Sequence, residues 1–98
     1  MSLSLVFRRA AESEFRYAAE WYEAQRPELG VEFVSEVQNT LKAITANPLQ
    51  HPIIDGDIRG APLNRFPYCI FFRIKPARVT IIAVFHTSRD PASWQMRK

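Results

Sequence analysis

Several residues in the second half of the chain are of types that handle phosphate. They are Arg65, Arg73, His86 and Arg89, with Tyr68, Lys75 and Arg78 close by in sequence. The planar guanidinium fork gives bidentate, charge-assisted bonds to phosphate oxygens. A histidine beside such arginines can move a proton. If the polyanion is RNA, a 2′-hydroxyl attacks the adjacent phosphate; the reaction needs a base, an acid and cations for the developing charge. The chain offers the cations and one acid/base. A structural role is open for each residue as well. Arg73 and Lys75 suit the polar positions of an exposed strand end. Arg65 can anchor the loop carrying Asp55 and Asp57, and Arg89 can pair with Asp90 or with acidic helices. His86 can be a strand-end histidine bonded to backbone.

Other chemistries find little support. The three glycines, Gly30, Gly56 and Gly60, form no phosphate-cradling loop. His51, Cys69 and His86 follow no metal-ligand spacing, so no metal or other cofactor is expected. No nucleophile-elbow sequence occurs. The acidic residues fall mostly at solvent-facing helical spacings, as a solvated surface would.

The candidate residues flank two apolar runs, Tyr68 to Ile74 and Val79 to Phe85, rich in Ile, Val and Phe. Such runs suit a pleated, largely buried surface. Lys75-Pro76-Ala77-Arg78 joins them as a β-turn, with Pro76 where proline already has the required φ. The expectation is a β-hairpin at the centre of a small sheet. Upstream, Leu3 to Phe7 reads as a short strand, able to run parallel to a C-terminal one. From Ala10 to Gln25 the period changes: Ala11, Phe15, Ala18 and Tyr22 mark one helical face, widened by Trp21, with Glu12, Glu14, Arg16, Glu20 and Glu23 elsewhere. Pro27 prevents simple continuation. Phe33, Val37, Leu41 and Ile44 mark a second helix, stopped at Asn47-Pro48. The short link predicts an antiparallel helical hairpin. Residues 48–57 read as a loop, and Ile58 to Asn64 as a weak edge strand interrupted by Gly60 and Pro62. Asp90 and Pro91 suit the start of a short C-terminal helical turn, with Trp94 packing back on the domain. The predicted order is β-α-α-β-β-β plus that turn: an α+β fold, two helices on a small, mainly antiparallel sheet.

The bulk numbers fit one domain spanning residues 1–98, able to bury roughly 60–65% of its unfolded surface. The single Cys69 cannot pair within the chain, which points to a reducing compartment, and so to the cytoplasm. No signal peptide is read, and no segment approaches the roughly 20 apolar residues of a membrane span. Charge is lopsided. Residues 1–54 carry five Lys/Arg against seven Asp/Glu, net −2; residues 55–98 carry eight against three, net +5. That asymmetry favours an acidic or polyanionic partner for the second half.

The ordered set of Trp21-Tyr22, Leu29-Gly30, Asn47-Pro48, Arg65-Phe66-Pro67-Tyr68, His86, Arg89-Asp90-Pro91 and Trp94 resembles the RelE/ParE toxin superfamily, from about Leu5 to Arg97. The resemblance implies two antiparallel helices on a small antiparallel sheet. It also implies the toxin of a type II toxin–antitoxin module, whose antitoxin wraps a disordered segment over the toxin. RelE-like members are ribosome-dependent mRNA endonucleases; ParE-like members inhibit DNA gyrase by protein–protein contact. This chain has no tyrosine after Tyr68, Thr87 rather than an aromatic follows His86, and Lys42 is the only cation inside the second helix. Those features resemble the ParE branch. The leading expectation is a gyrase-binding, growth-arresting toxin with no catalytic residues. The alternatives are a ribosome-dependent endoribonuclease using His86 with Arg65, Arg73 and Arg89, and an inactive relative that only binds an antitoxin. On the binding readings the contact candidates are Arg65, Tyr68, Arg73, Lys75, Arg78, His86, Arg89 and Trp94.

Overall fold

The computed structural model describes residues 3–97. The chain forms β1 (Ser4–Phe7), α1 (Arg9–Gln25), α2 (Leu29–Ala46), a 3₁₀ turn (Pro48–Gln50), β2 (Ile53–Asp55), β3 (Ile58–Pro62), β4 (Tyr68–Lys75), β5 (Arg78–His86) and α3 (Ala92–Gln95). The five strands make one sheet in the order β1-β5-β4-β3-β2. Among the described strands only the β1–β5 pair is parallel, which fixes a placement that spacing in the sequence leaves open.

The long periodic segments fold as their patterns dictate. Phe33, Val37, Leu41 and Ile44 are buried on α2, and Ala11 and Ala18 on α1. Trp21 lies off the stripe and is largely exposed. The helices meet closely at Gly30, where a Cβ would lie 2.6 Å from the Ala19 carbonyl oxygen. α2 has no side-chain cap of its own. Instead, the Glu23 carboxylate of α1 accepts the Glu28 and Gly30 amide protons, each at 3.0 Å. It satisfies two of the amides a helix start leaves open and suits the positive end of the dipole.

Two departures from the sequence reading matter. Residues 48–57 are not only loop: they hold the 3₁₀ turn and β2, which pairs antiparallel with β3. Asp55-Gly56-Asp57 reverses the chain, with Gly56 at φ 61°, a left-handed conformation glycine adopts without a Cβ clash. β3 is therefore internal and β2 is the edge. Three residues are too few for strand alternation to show in a sequence. The second departure concerns Arg65, which bonds Glu32 of α2 rather than the Asp55/Asp57 loop. Arg73 holds Asp57 instead, at 2.9 Å.

The core has two parts. The face of the sheet under the helices carries Ile70, Phe72, Val79, Ile81 and Val84 against Phe33, Val37 and Leu41. The outer face carries Ile58, Phe71, Ile82, Ala83 and Phe85, with Trp94 of α3 stacked on Phe71 at 3.9 Å. Trp94 thus plugs the domain from the side opposite the helices. Asp90 starts α3 as expected, its carboxylate accepting the Ala92 amide proton at 3.0 Å.

Candidate functional site

A single bulge decides which side the end of β5 serves. Phe71 pairs with Ala83 but Phe72 with Ile81, leaving Ile82 as the extra residue. Ile82 and Ala83 both belong to the outer core, and Val84 returns to the helix side. The shift also turns His86 to the helix side, where it meets Tyr68, its pairing partner on β4, edge to face at 5.1 Å. Without the bulge, strand alternation would put His86 on the outer face.

Tyr68 is held by an aromatic cluster. Its ring meets Phe33 at 5.2 Å, and Tyr22 meets Phe66 at 4.9 Å, both edge to face. Such pairs add about 0.5–1.5 kcal/mol each beyond burial. Burial, and next the neighbouring Tyr22, raise the Tyr68 hydroxyl above its usual pKa of 10.0.

Tyr68, His86 and Arg89 line one cleft of about 280 Å³ with Ser13, Glu14 and Tyr17 of α1. His86 Nδ1 accepts the Ser88 amide proton at 3.1 Å and lies 2.7 Å from the Ser88 hydroxyl. An accepting Nδ1 puts the neutral ring's proton on Nε2, so the free nitrogen is a donor rather than a base. Arg89 stacks over Phe85 at 4.5 Å and reaches Glu14 at 3.4 Å. Glu14 also accepts the Val84 amide proton at 3.1 Å, beyond the last residue paired with β1.

The other candidates lie elsewhere. Arg65 borders a groove of about 770 Å³ between α2 and β3, bonded to Glu32 at 2.6 Å. That bond is the main reason the Glu32 carboxyl is held below its usual range. Arg73 belongs to the opposite end of β4 and likewise depresses Asp57. Lys75 and Arg78 face each other across the hairpin turn. Trp94 is in the outer core. Among the arginines proposed for phosphate, only Arg89 shares the cleft of His86. No group of three or more His, Cys, Asp or Glu able to hold a metal ion occurs among the described residues. No described helix is long and apolar enough to cross a membrane.

Sequence reasoning missed Glu14, Tyr17 and Ser13. It assigned Glu14 to a solvated face, yet its side chain is 13% exposed. The signal was present: Glu14 falls three residues after Ala11 and four before Ala18, on the buried stripe itself. Glu23, Glu32 and Glu36 are structural as well, Glu36 accepting the Arg65 amide proton at 2.9 Å.

The architecture is α+β, a helical hairpin over one face of a small mixed sheet with a short C-terminal helix on the other. The model of the family "ParE toxin of type II toxin-antitoxin system, parDE" matches residues 5–91, and the chain belongs to that family. No curated protein matches. Among solved structures, a chain from the chromosomal ParDE TA system of P. aeruginosa shares the fold. It superposes with a TM-score of 0.77 at 21% identity, over 89% of this chain and 98% of that one.

Proposed function

We propose that this chain is a cytoplasmic toxin that arrests growth by binding DNA gyrase, and that a cognate antitoxin neutralises it. Family membership supplies the toxin–antitoxin setting. The observation that favours binding over RNA cleavage is the scatter of the phosphate-handling residues. Arg65 and Arg73 lie in other parts of the fold, each bonded to a carboxylate. His86 has its accepting nitrogen committed to Ser88. In-line attack on a phosphate needs base, acid and cations around one point. A protein contact has no such requirement and can use dispersed residues.

Tyr68, His86 and Arg89 around one cleft keep the endoribonuclease reading as the competitor. A supercoiling assay with purified gyrase, run beside a ribosome-programmed mRNA cleavage assay, separates the two. Loss of supercoiling with intact message is the expected result. Message cut on the ribosome while gyrase works normally would overturn the proposal.

A further inference from the structure

Ser13, Tyr17 and Trp21 recur every four residues on α1 and so share one stripe of its surface. The two rings are open to solvent, Tyr17 69% and Trp21 49% exposed. Single exposed aromatics are common, but these two are neighbours, and Trp21 is held in place. Its ring packs edge to face on Tyr22 at 5.2 Å, and Tyr22 packs in turn on Phe66 at 4.9 Å and Tyr68 at 6.2 Å. Ser13 and Tyr17 line the His86 cleft, which Arg89 lines as well. The stripe therefore runs from the cleft along α1. Trp, Tyr and Arg are the residue types that carry most binding energy at protein interfaces.

Arg89 is available for a second partner. Glu14 is already held by Arg97 through two bonds, at 2.9 and 2.7 Å, whereas its contact with Arg89 is the long one at 3.4 Å. The Arg89 side chain is 51% exposed. Phe85 beneath it, at 4.5 Å, orients the guanidinium and keeps water from one side, which strengthens a bond to a carboxylate there. Beside Arg89 the cleft offers further donors, His86 Nε2 and the hydroxyls of Ser13, Tyr17 and Tyr68. With Glu14 neutralised by Arg97, that set favours an acidic side chain. Size decides how it arrives. About 280 Å³ admits a side chain but not a run of backbone, unlike the groove of about 770 Å³ between α2 and β3. A disordered segment wrapped over the toxin needs a long groove; a folded protein presents single side chains.

We propose that Tyr17, Trp21 and Arg89 form the surface that grips the target, gyrase, which sets a carboxylate on Arg89 and apolar side chains against the two rings. The proposal rests on the gyrase-binding reading above and adds the surface of the toxin and the chemistry of the patch it fits. Two rigid aromatics beside one half-exposed cation are an arrangement that concentrates binding energy and fixes register. Tyr68 and His86 shape the wall of the cleft and are not the main anchors. A second copy of this chain docked face to face would bring Arg89 to Arg89 and is disfavoured by charge.

The test is the affinity of purified gyrase for the toxin and its variants. Trp21→Ser and Arg89→Glu are each expected to bind gyrase about tenfold or more weakly, and to need correspondingly more toxin to stop supercoiling. Lys42→Glu, on α2 beside Leu5, makes the same change of charge and should stay within about threefold of wild type. Thermal melts confirm that the variants fold, and a cross-linking measurement depends on none of the three. Tyr17→p-benzoylphenylalanine should photo-cross-link to gyrase, and Leu49→p-benzoylphenylalanine, on the exposed 3₁₀ turn, should not. A cross-link from position 49 with none from position 17 overturns the proposal. An equal loss of affinity in Lys42→Glu overturns it too, by making the attraction one of bulk charge. Lost antitoxin affinity with intact gyrase affinity in Trp21→Ser and Arg89→Glu also overturns it, by giving the surface to the antitoxin. If wild-type toxin does not bind gyrase, the gyrase reading fails and takes the proposal with it; wild-type binding with both variants unweakened sinks the proposal alone.

Discussion

Glu14 and Arg97 lie 83 residues apart and form a bidentate ion pair, Nη1–Oε1 at 2.9 Å and Nη2–Oε2 at 2.7 Å. Their side chains are 13% and 20% exposed. Arg97 also donates to the Ile82 carbonyl, and its own carbonyl accepts from Arg8. The pair therefore ties α1, the bulge of β5 and the end of the chain together. It closes the sheet where β1 stops, because Glu14 takes the Val84 amide proton there.

Removing one partner leaves a charge with little water around it. Glu14→Ala and Arg97→Ala should each cost about 2 kcal/mol, or about 10 °C in Tm. The double variant should cost clearly less than the sum, since both changes break one interaction. In a Trp21→Phe background, Trp94 fluorescence should shift to the red in each single variant. An unshifted spectrum would mean that α3 stays docked without the pair.

Gly30 gives a cleaner test of packing. Alanine is the better helix former by about 1 kcal/mol. Here its Cβ would meet the Ala19 carbonyl oxygen at 2.6 Å and Glu23 Cβ at 2.9 Å. Overpacking of this kind costs about 1–3 kcal/mol. Gly30→Ala should thus lower stability in denaturant melts, whereas a rise would show that the hairpin can open without loss.

These two sites show what the sequence displays and what it hides. The helices, β4 and β5 follow from long runs whose apolar spacing averages over many residues, whereas the place of the four-residue β1 beside β5 does not. Nor does β2, being three residues long. The β5 bulge lies inside Val79–Phe85, where nearly every residue is apolar; a change of phase leaves no mark in such a run. Ion-pair partners are tertiary facts: nothing local tells Arg65 to choose Glu32 or Arg73 to choose Asp57. Glu14 could have been read, because a carboxylate on a buried stripe needs a partner.

His51 should set the pH dependence of stability near neutrality. Burial, and then the charge of Arg59, hold its imidazole below the ordinary 6.5. The unfolded chain therefore binds the proton first as pH falls. Stability from this group is full above about 6.5 and declines as pH drops toward the folded value. Glu32 and Asp57, depressed by their arginines, add a separate loss at lower pH. Thermal melts from pH 7.5 to 5.5 should fall in the wild type and flatten in His51→Gln. Parallel slopes would rule His51 out.

The Cys69 thiol should react slowly. Burial pushes its pKa up to about 11, and the thiolate is the reactive form. Alkylation of the free toxin should rise about tenfold per pH unit from pH 8 to 10, without a plateau. A plateau below pH 9 would mean an activated thiol.

His86 is where the two functional readings part most sharply. In His86→Gln, the amide oxygen can accept the Ser88 amide proton as Nδ1 does, so the turn after β5 keeps its bond. What disappears is the imidazole, the group that the enzyme reading needs as acid or base. An enzyme relying on His86 as general acid or base would lose about 10²- to 10⁴-fold in rate. A toxin that works by contact would lose at most one side chain's share of the interface, about tenfold or less for a residue that is not a main anchor. Viable counts after graded induction should therefore show His86→Gln still arresting growth, at a dose within about tenfold of wild type. Complete loss of arrest in a variant that melts normally and still binds antitoxin would move the function to the cleft of Tyr68, His86 and Arg89, and to phosphate chemistry.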